Sequence, residues 1–414
     1  MTALLDINDC NLQLWAGQGR VQSPGYALLE SGEYRFGNEA RGSARLRPRD
    51  INNRFWWQLS TEPLQPALGP ARHTADLVHA HLLQIHDTSE GPEELLLACS
   101  GSMQREQLSL LLGIVQQCPF KAVALLNRSA LLASHHGGED GLFHLELQLH
   151  QGLLTELTQH DNTMSVTRTV ALPGCGLLQL QERLVESAAN AFIRQTRFDP
   201  RRKAATEQNL YDVLPAVLQT LAAQPEANIE VNGYRARVSA AEMAGAGQHL
   251  FTAAAQAMGN NRQTDPILVD PLVSLLPGLR DSFPRVQVAA EDALWLAAQQ
   301  QADHLINRDG PLAFVSAVPC LTRAASTTAI TPPPQSVASP DAQPTHLLQG
   351  ARAMPLVDGM QLAPDISITG SVRGWHLCGN ATVNGDAVTE AALAPGDRIE
   401  LPDGEALSLI EVQS

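Results

Sequence analysis

A strand hairpin opens at Leu4, and after a stretch that mixes helices with strands another opens at Leu142. This coarse repeat constrains the fold more than any single motif. "TALLDINDCNLQLWAG" and "YALLESGEYRFG" have the length and punctuation of hairpin strands, and "GLFHLELQLHQGLLTELTQ" reads as the second opening, with its turn at Gln151-Gly152. A helical pattern begins near Thr74 and continues through Val78 to Ile85, "MQREQLSLLLGIVQQC" has helical periodicity, and 176–223 is mostly helical. "ELLLACS" is a short buried-strand run, and "KAVALLNRSALLAS" reads as strand then helix. "ANIEVNGYRARVS" is a strand pair turning at Asn232-Gly233, and long helices are expected on both sides of "PILVDPLVSLLPGL". The mixture predicts an α/β architecture of two related halves with a cleft between them, where ligands are usually found.

The clearest boundary is 326–345, "STTAITPPPQSVASPDAQPT". Rich in Pro, Ser and Thr, it cannot bury enough surface to fold alone, and its prolines favour extended chain. The expected organisation is a first lobe over 1–140, a second lobe with a cap subdomain over 141–325, the linker 326–345, and a small all-β sandwich over 346–414.

The chain has 414 residues, is 44% hydrophobic and 17% charged, and carries a formal net charge of -15. No basic run larger than Arg201-Arg202-Lys203 breaks the acidity, which argues against nucleic acid as a partner. The six cysteines stand singly and read as reduced, cytosolic thiols. No basic n-region precedes the first apolar stretch, which Asp6 and Asp9 interrupt, and no apolar run reaches the roughly 18 residues of a membrane span. A cytoplasmic location without membrane contact is expected.

The order of these segments resembles the nucleotide-binding domain of the seventy-kilodalton heat-shock chaperones (the DnaK type), within the actin-like ATPase superfamily. "LLDINDCNLQLW" sits where the family has its first phosphate loop, and "FGNEARGSARLRPRDINNRFWWQLSTEPL" resembles the stretch after the early hairpins. The 93–134 stretch, ending in "NRSALLAS", resembles the strand, helix and strand that lead to the family's N-E-P-T-A-A segment. The stretch from Phe192 to Met243 resembles the lobe that caps the adenine. The likeness spans about 3–310, rests on order and spacing, and leaves out the family's peptide-binding domain. It implies a two-lobed actin-like fold, with ribonuclease H-like duplicated domains, and a Mg·ATP cleft.

The cleft residues depart from that pattern. Against the family's D-L-G-T-T-N stand Asp6, Ile7, Asn8, Asp9, Cys10 and Asn11. Asn8 replaces the glycine that permits close backbone approach, and Asp9 replaces a hydroxyl donor with a carboxylate. A carboxylate facing phosphate at roughly 4 Å costs about 1–4 kcal/mol per phosphate charge. Asp9 as a Mg²⁺ ligand and Asp9 as the cap of a hairpin turn both stay open. Glu146 stands near the Asp of the family's D-L-G-G-G-T, but Leu147, Gln148, Leu149 and His150 follow in place of glycines. The resemblance sets Pro215, Leu218, Gln219 and Ala222 on the family's adenine-pocket Glu, Lys, Arg and Ser, and Asp270-Pro271 on its last Gly-Gly. If nucleotide binds at all, Asp6, Asn8, Asp9, Asn11 and Glu146 are the residues to hold it.

His79, His81 and His86 lie close in sequence, but His79 and His81 point to different faces of a helix, and no metal site is read from them. Trp56 and Trp57 are the only paired tryptophans, readable as a core plug or as an interface anchor. In the tail, "TVNGDAVTEAALAPGDRIEL" resembles the last strands of a forkhead-associated β-sandwich, a phosphothreonine reader. Its Ser-x-x-His spacing is broken here, because Ser371 and His376 are five apart. Arg352 and Arg373 are candidate phosphate contacts, and Arg373 with Trp375 a candidate partner surface.

The expectation is therefore a degenerate chaperone-ATPase-like scaffold that recognises or assembles protein partners with little or no ATP hydrolysis and no required cofactor. The alternatives are an active, atypical Mg·ATP-dependent chaperone-like enzyme and a signalling adaptor whose C-terminal module binds a phosphorylated partner.

Overall fold

The computed structural model describes residues 2–89, 91–136, 141–263, 265–321, 344–349, 352–363, 365–371, 374–384, 386–401 and 406–410. Most of the segment 326–345, and Arg373, lie outside them. The chain forms two compact units, 1–324 and 325–414, of mixed α/β and antiparallel β structure respectively.

The first unit holds two six-stranded sheets. One is built on β1 (Ala3–Ile7), β2 (Leu12–Ala16), β3 (Gly19–Ser23), β4 (Glu94–Cys99) and β5 (Lys121–Asn127). β1 and β2 are antiparallel, as are β2 and β3, whereas β1, β4 and β5 run parallel. The other is built on β6 (Gly141–Leu147), β7 (Gln151–His160), β8 (Thr163–Pro173), β9 (Ile267–Val269) and β10 (Val286–Val288). β6, β7 and β8 form an antiparallel meander, and β6, β9 and β10 run parallel. Both sheets thus have the spatial order third, second, first, fourth, fifth. The chain then returns to both: Phe314–Val315 extends the first sheet beside β5, and Ala317–Pro319 the second beside β8.

β1 is buried at all five positions because it is central and covered on both faces, so it reads as a continuous apolar run broken only by Asp6. β6 is buried from Leu142 to Leu147 and includes His144 and Glu146. Strand alternation sends Phe143, Leu145 and Leu147 into the second sheet's core while His144 and Glu146 share the opposite face. That core packs on α-helices 177–196 and 204–223 through residues such as Leu184, Phe192 and Leu214. The first sheet packs Leu5, Leu14 and Leu97 on the helices 74–88 and 105–115. A third core lies between the sheets and contains Leu4, Leu126, Leu142 and Leu268. The short helix 128–133, buried along its whole length, passes through it.

Two sequence readings need correction. The turn of the second hairpin lies at Gln148–His150, because the Gln148 N–H bonds the Gln151 carbonyl at 2.9 Å and Gly152 already pairs with Leu147. Gly152 serves packing: a Cβ there would stand 2.9 Å from Leu250. The segment 266–279 is preceded by an 11-residue helix, Gln248–Met258, but no long helix follows; four-residue helices at Pro271–Ser274 and Leu279–Ser282 come next. Pro277, Gly278 at φ 87° and Pro284 interrupt the helical path there.

The second unit is all antiparallel strand among its described residues, with a core of Leu347, Ile368, Leu377, Ile399 and Leu409. Trp375 is half-buried against that core, its ring crossing Gly370, where a Cβ would lie 3.1 Å away. No helix among the described residues is long and apolar enough to cross a membrane.

Candidate functional site

The junction between the two sheets is organised by Arg128. It follows β5, the Asn127 side chain accepts the Ala130 N–H at 3.1 Å and so starts the helix, and Arg128 is 6% exposed. Its Nε donates to Asp6 Oδ1 of β1 at 2.7 Å. Its Nη1 donates to Glu146 Oε2 of β6 and to Asp270 Oδ2 at the end of β9, both at 3.0 Å, and Nη2 donates to Asp270 Oδ1 at 3.1 Å. The planar guanidinium fork thus joins the first sheet to the second, bidentate on Asp270. Around it, Ser100 Oγ donates to Glu146 Oε1 at 2.7 Å. His144 Nε2 lies 3.3 Å from Asp270 Oδ1 and its Nδ1 lies 2.8 Å from Ser129 Oγ. An ionised Asp270 only accepts, which fixes a proton on Nε2.

Burial and the charge of Arg128 compete over the ionisation of this cluster. It pushes Asp6 up to about 6, against the pull of Arg128, with Asp270 and Glu146 adding repulsion. Burial also presses on Asp270, but the charge of Arg128 and the hydrogen bonds from His144 and Arg128 outweigh it and hold Asp270 well below the usual carboxylate range. The two carboxyls differ because Asp270 takes both prongs of the fork plus a histidine, and Asp6 takes one nitrogen. Arg128, despite desolvation, is held charged by Asp270, Asp6 and Glu146.

The two hairpin turns also meet directly. Asp9, in the β1–β2 turn, accepts the backbone N–H of Leu149 in the β6–β7 turn at 2.8 Å. Asp9 is 5% exposed, and burial raises its carboxyl to about 7. It caps a turn, but the turn belongs to the other sheet. Asn8 Oδ1 accepts the Cys10 N–H at 3.0 Å, and the Asn11 N–H bonds the Asn8 carbonyl at 3.0 Å, so both polar residues shape their own turn. A cavity of about 250 Å³ lies on one side of Arg128, lined among others by Asp6, Asn8, Asn11, Trp15 and Asp270.

His144, Glu146 and Asp270 each place one ligand atom within 4.8 Å of the others, a spacing suited to a divalent cation. The Arg128 Nη1 stands 3.0 Å from both carboxylates, so the guanidinium already supplies the positive charge at that point. The arrangement is chemically a closed ion cluster. At the two hairpin turns Asp9 takes the Leu149 N–H and Asn8 that of Cys10, so neither of these amides is free for a phosphate.

Of the residues read from sequence, the fold brings Asp6 and Glu146 into one cluster and sets Asp9 beside it, while Asn8 and Asn11 remain in the β1–β2 turn. Arg128, His144, Ser100 and the pairing role of Asp270 were not anticipated. The signal for Arg128 was present: in "KAVALLNRSALLAS" Lys121 stands at the edge but Arg128 sits mid-run, and a charge there demands partners if the run is buried. Pro215, Gln219 and Ala222 are exposed on the helix 204–223 and Leu218 is buried in the core. Trp56 is 5% exposed and donates Nε1–H to His81 Nδ1 at 3.0 Å, which removes it from any partner-facing surface. His81 is buried and pushed down to about 3 by desolvation, and it also contacts Ser23 Oγ at 2.7 Å. Trp57 keeps 39% exposure and stacks on His150 with centroids 5.0 Å apart.

Comparison with known proteins returns no match, either among protein-family models or among curated sequences.

Proposed function

We propose that the chain is a degenerate, actin-like scaffold of the chaperone-ATPase type that recognises or assembles protein partners with little or no ATP turnover. The observation that carries this reading is Arg128 bridging Asp6, Glu146 and Asp270 across the two sheets. The resemblance implies that an active ATPase of this type would hold Mg²⁺ and phosphate in the cleft. Here a side chain of the protein supplies the cation. The shared strand order of the two sheets supports the duplicated fold. Asp9 on the Leu149 N–H and the apolar or proline residues at 215 and 218 support the loss of phosphate and adenine contacts.

Calorimetry with Mg·ATP at near-millimolar concentration tests it. No saturable heat is expected; a micromolar dissociation constant refutes the reading in favour of an atypical ATP-dependent enzyme.

A further inference from the structure

A cavity of about 370 Å³ in the first unit is lined by Asp9 and by Ser100, and none of Asp6, Arg128, Glu146 and Asp270 lines it. Its size falls within the roughly 300–1,000 Å³ of small-molecule sites. Its wall combines Trp57 with the amides of Gln104, Gln107, Gln148 and Gln151. Ser102 and Thr169 add hydroxyls, and Asp9 adds a carboxyl that is 5% exposed and lines the space. Among the described residues no lysine, arginine or histidine lines it.

We propose that this cavity binds an uncharged, planar heteroaromatic ligand with an amide-like edge, such as a nucleobase or a nucleoside lacking phosphate. Three features of the wall carry this. Carboxamide side chains both donate and accept, and a glutamine amide matches the paired donor and acceptor on the edge of a base. Trp57 is covered by His150 on one face, in a 21° stack, but it lines the cavity and keeps 39% exposure overall, which leaves ring surface for stacking. The wall also rejects anions: a phosphate would lose its water against Asp9 with no basic side chain to replace it. The Asp9 carboxyl instead suits a ligand N–H. The Gln148 amide is held only by contacts of 3.4 Å to Ser102 and by Gln151 at 2.8 Å, so it can turn to a ligand at little cost. This site does not depend on the scaffold reading, which concerns the phosphate side of Asp9.

The test is titration of the full chain with uridine, inosine and nicotinamide, followed by tryptophan fluorescence and calorimetry, with uridine monophosphate and glucose as charged and polyol arms. Saturable binding of at least one of the three planar ligands is expected, with uridine monophosphate at least tenfold weaker than uridine. Trp57→Ala and Gln151→Leu should each weaken binding about tenfold or more while thermal unfolding stays near that of the parent. Should Trp57→Ala fail to fold, Gln151→Leu carries the same comparison. Absence of saturable binding by all three, binding of glucose or uridine monophosphate as tight as any of them, or full affinity in a folded variant would overturn the proposal. A failed Mg·ATP titration leaves this outcome unaffected.

Discussion

Replacing Arg128 with methionine keeps most of the side-chain volume and removes the charge that holds Asp6, Glu146 and Asp270 together. All three carboxyls are buried, with side chains at 4%, 1% and 10% exposure, so none can recover its hydration by turning outward. Removing one partner of a buried ion pair costs about 3–5 kcal/mol, mostly through the charge left unpaired. For a folded unit of this size, that is a fall in melting temperature on the order of 10 °C. The sign of the pH dependence follows from the carboxyls. Asp6 already sits at about 6, above its ordinary 3.8, with Arg128 beside it. Without Arg128, Asp6 rises further above its unfolded value and Asp270 loses the charge that holds it down, so the folded state holds more protons. The corresponding stability is fully present below the unfolded value and is lost as pH rises through the folded one. Urea unfolding should therefore show Arg128→Met to be several-fold more costly, in kcal/mol, at about pH 8 than at about pH 5. Adding Asp6→Asn to Arg128→Met should recover part of the loss at the higher pH. A cost below about 1 kcal/mol, or an equal cost at both pH values, would show that the cluster does not join the sheets electrostatically.

Asp9→Asn keeps an oxygen for the Leu149 N–H and removes a carboxylate that burial raises from 3.8 to about 7. Stability tied to the protonated Asp9 is present below 3.8 and lost as pH rises toward 7, so the variant should be more stable than the parent by on the order of 2–4 kcal/mol at about pH 8, the gain shrinking as pH falls toward 4, by denaturant midpoints. Trp56→Phe removes the donor to His81 Nδ1 and leaves a buried ring nitrogen unsatisfied, costing about 1–3 kcal/mol. Because burial keeps His81 neutral, with its value pushed down to about 3, that cost should be the same at about pH 6 and pH 8 in urea unfolding. Arg45→Ala removes a guanidinium 4.1 Å from the Tyr211 ring and its 2.5 Å bond to the Tyr211 hydroxyl, so amide exchange in the helix 204–223 should quicken by the equivalent of about 1–2 kcal/mol.

How far the sequence could be read depended on whether a feature is local. The turn at Asn232-Gly233 was legible because both residues take positive φ, 53° and 79°, which the turn demands and N-G supplies. The helix 74–88 and the strands 94–99 and 121–127 were legible from period and run length. Gly152 misled because a glycine in a strand answers to a neighbour's side chain as often as to a turn, and Leu250 is remote in sequence. The ion cluster was invisible for the same reason. Its contacts join Arg128 to residues 122 and 142 positions away, and nothing in either neighbourhood shows that they meet. Asp6 and Glu146 were selected by position in a motif, whereas their partner had to be found from the cost of burying a lone arginine.

The Arg128 cluster also bears on what kind of scaffold this would be. Two sheets that bring Asp6 on one side and Glu146 and Asp270 on the other toward a common point repel each other unless a cation stands between them. When that cation arrives with a ligand, closure of the two halves depends on the ligand, and partner surfaces that differ between open and closed forms become switchable. A guanidinium fixed to the chain is present at all times, and the Asp9 bond to Leu149 joins the turns by a second contact that needs no ligand. On the proposed reading, ATP then has no differential affinity for two states of the lobes, and a ligand without such a difference shifts no equilibrium however abundant it is. Partner recognition would rest on a surface held in one form, with its affinity set by complementarity and its timing left to the supply of partners.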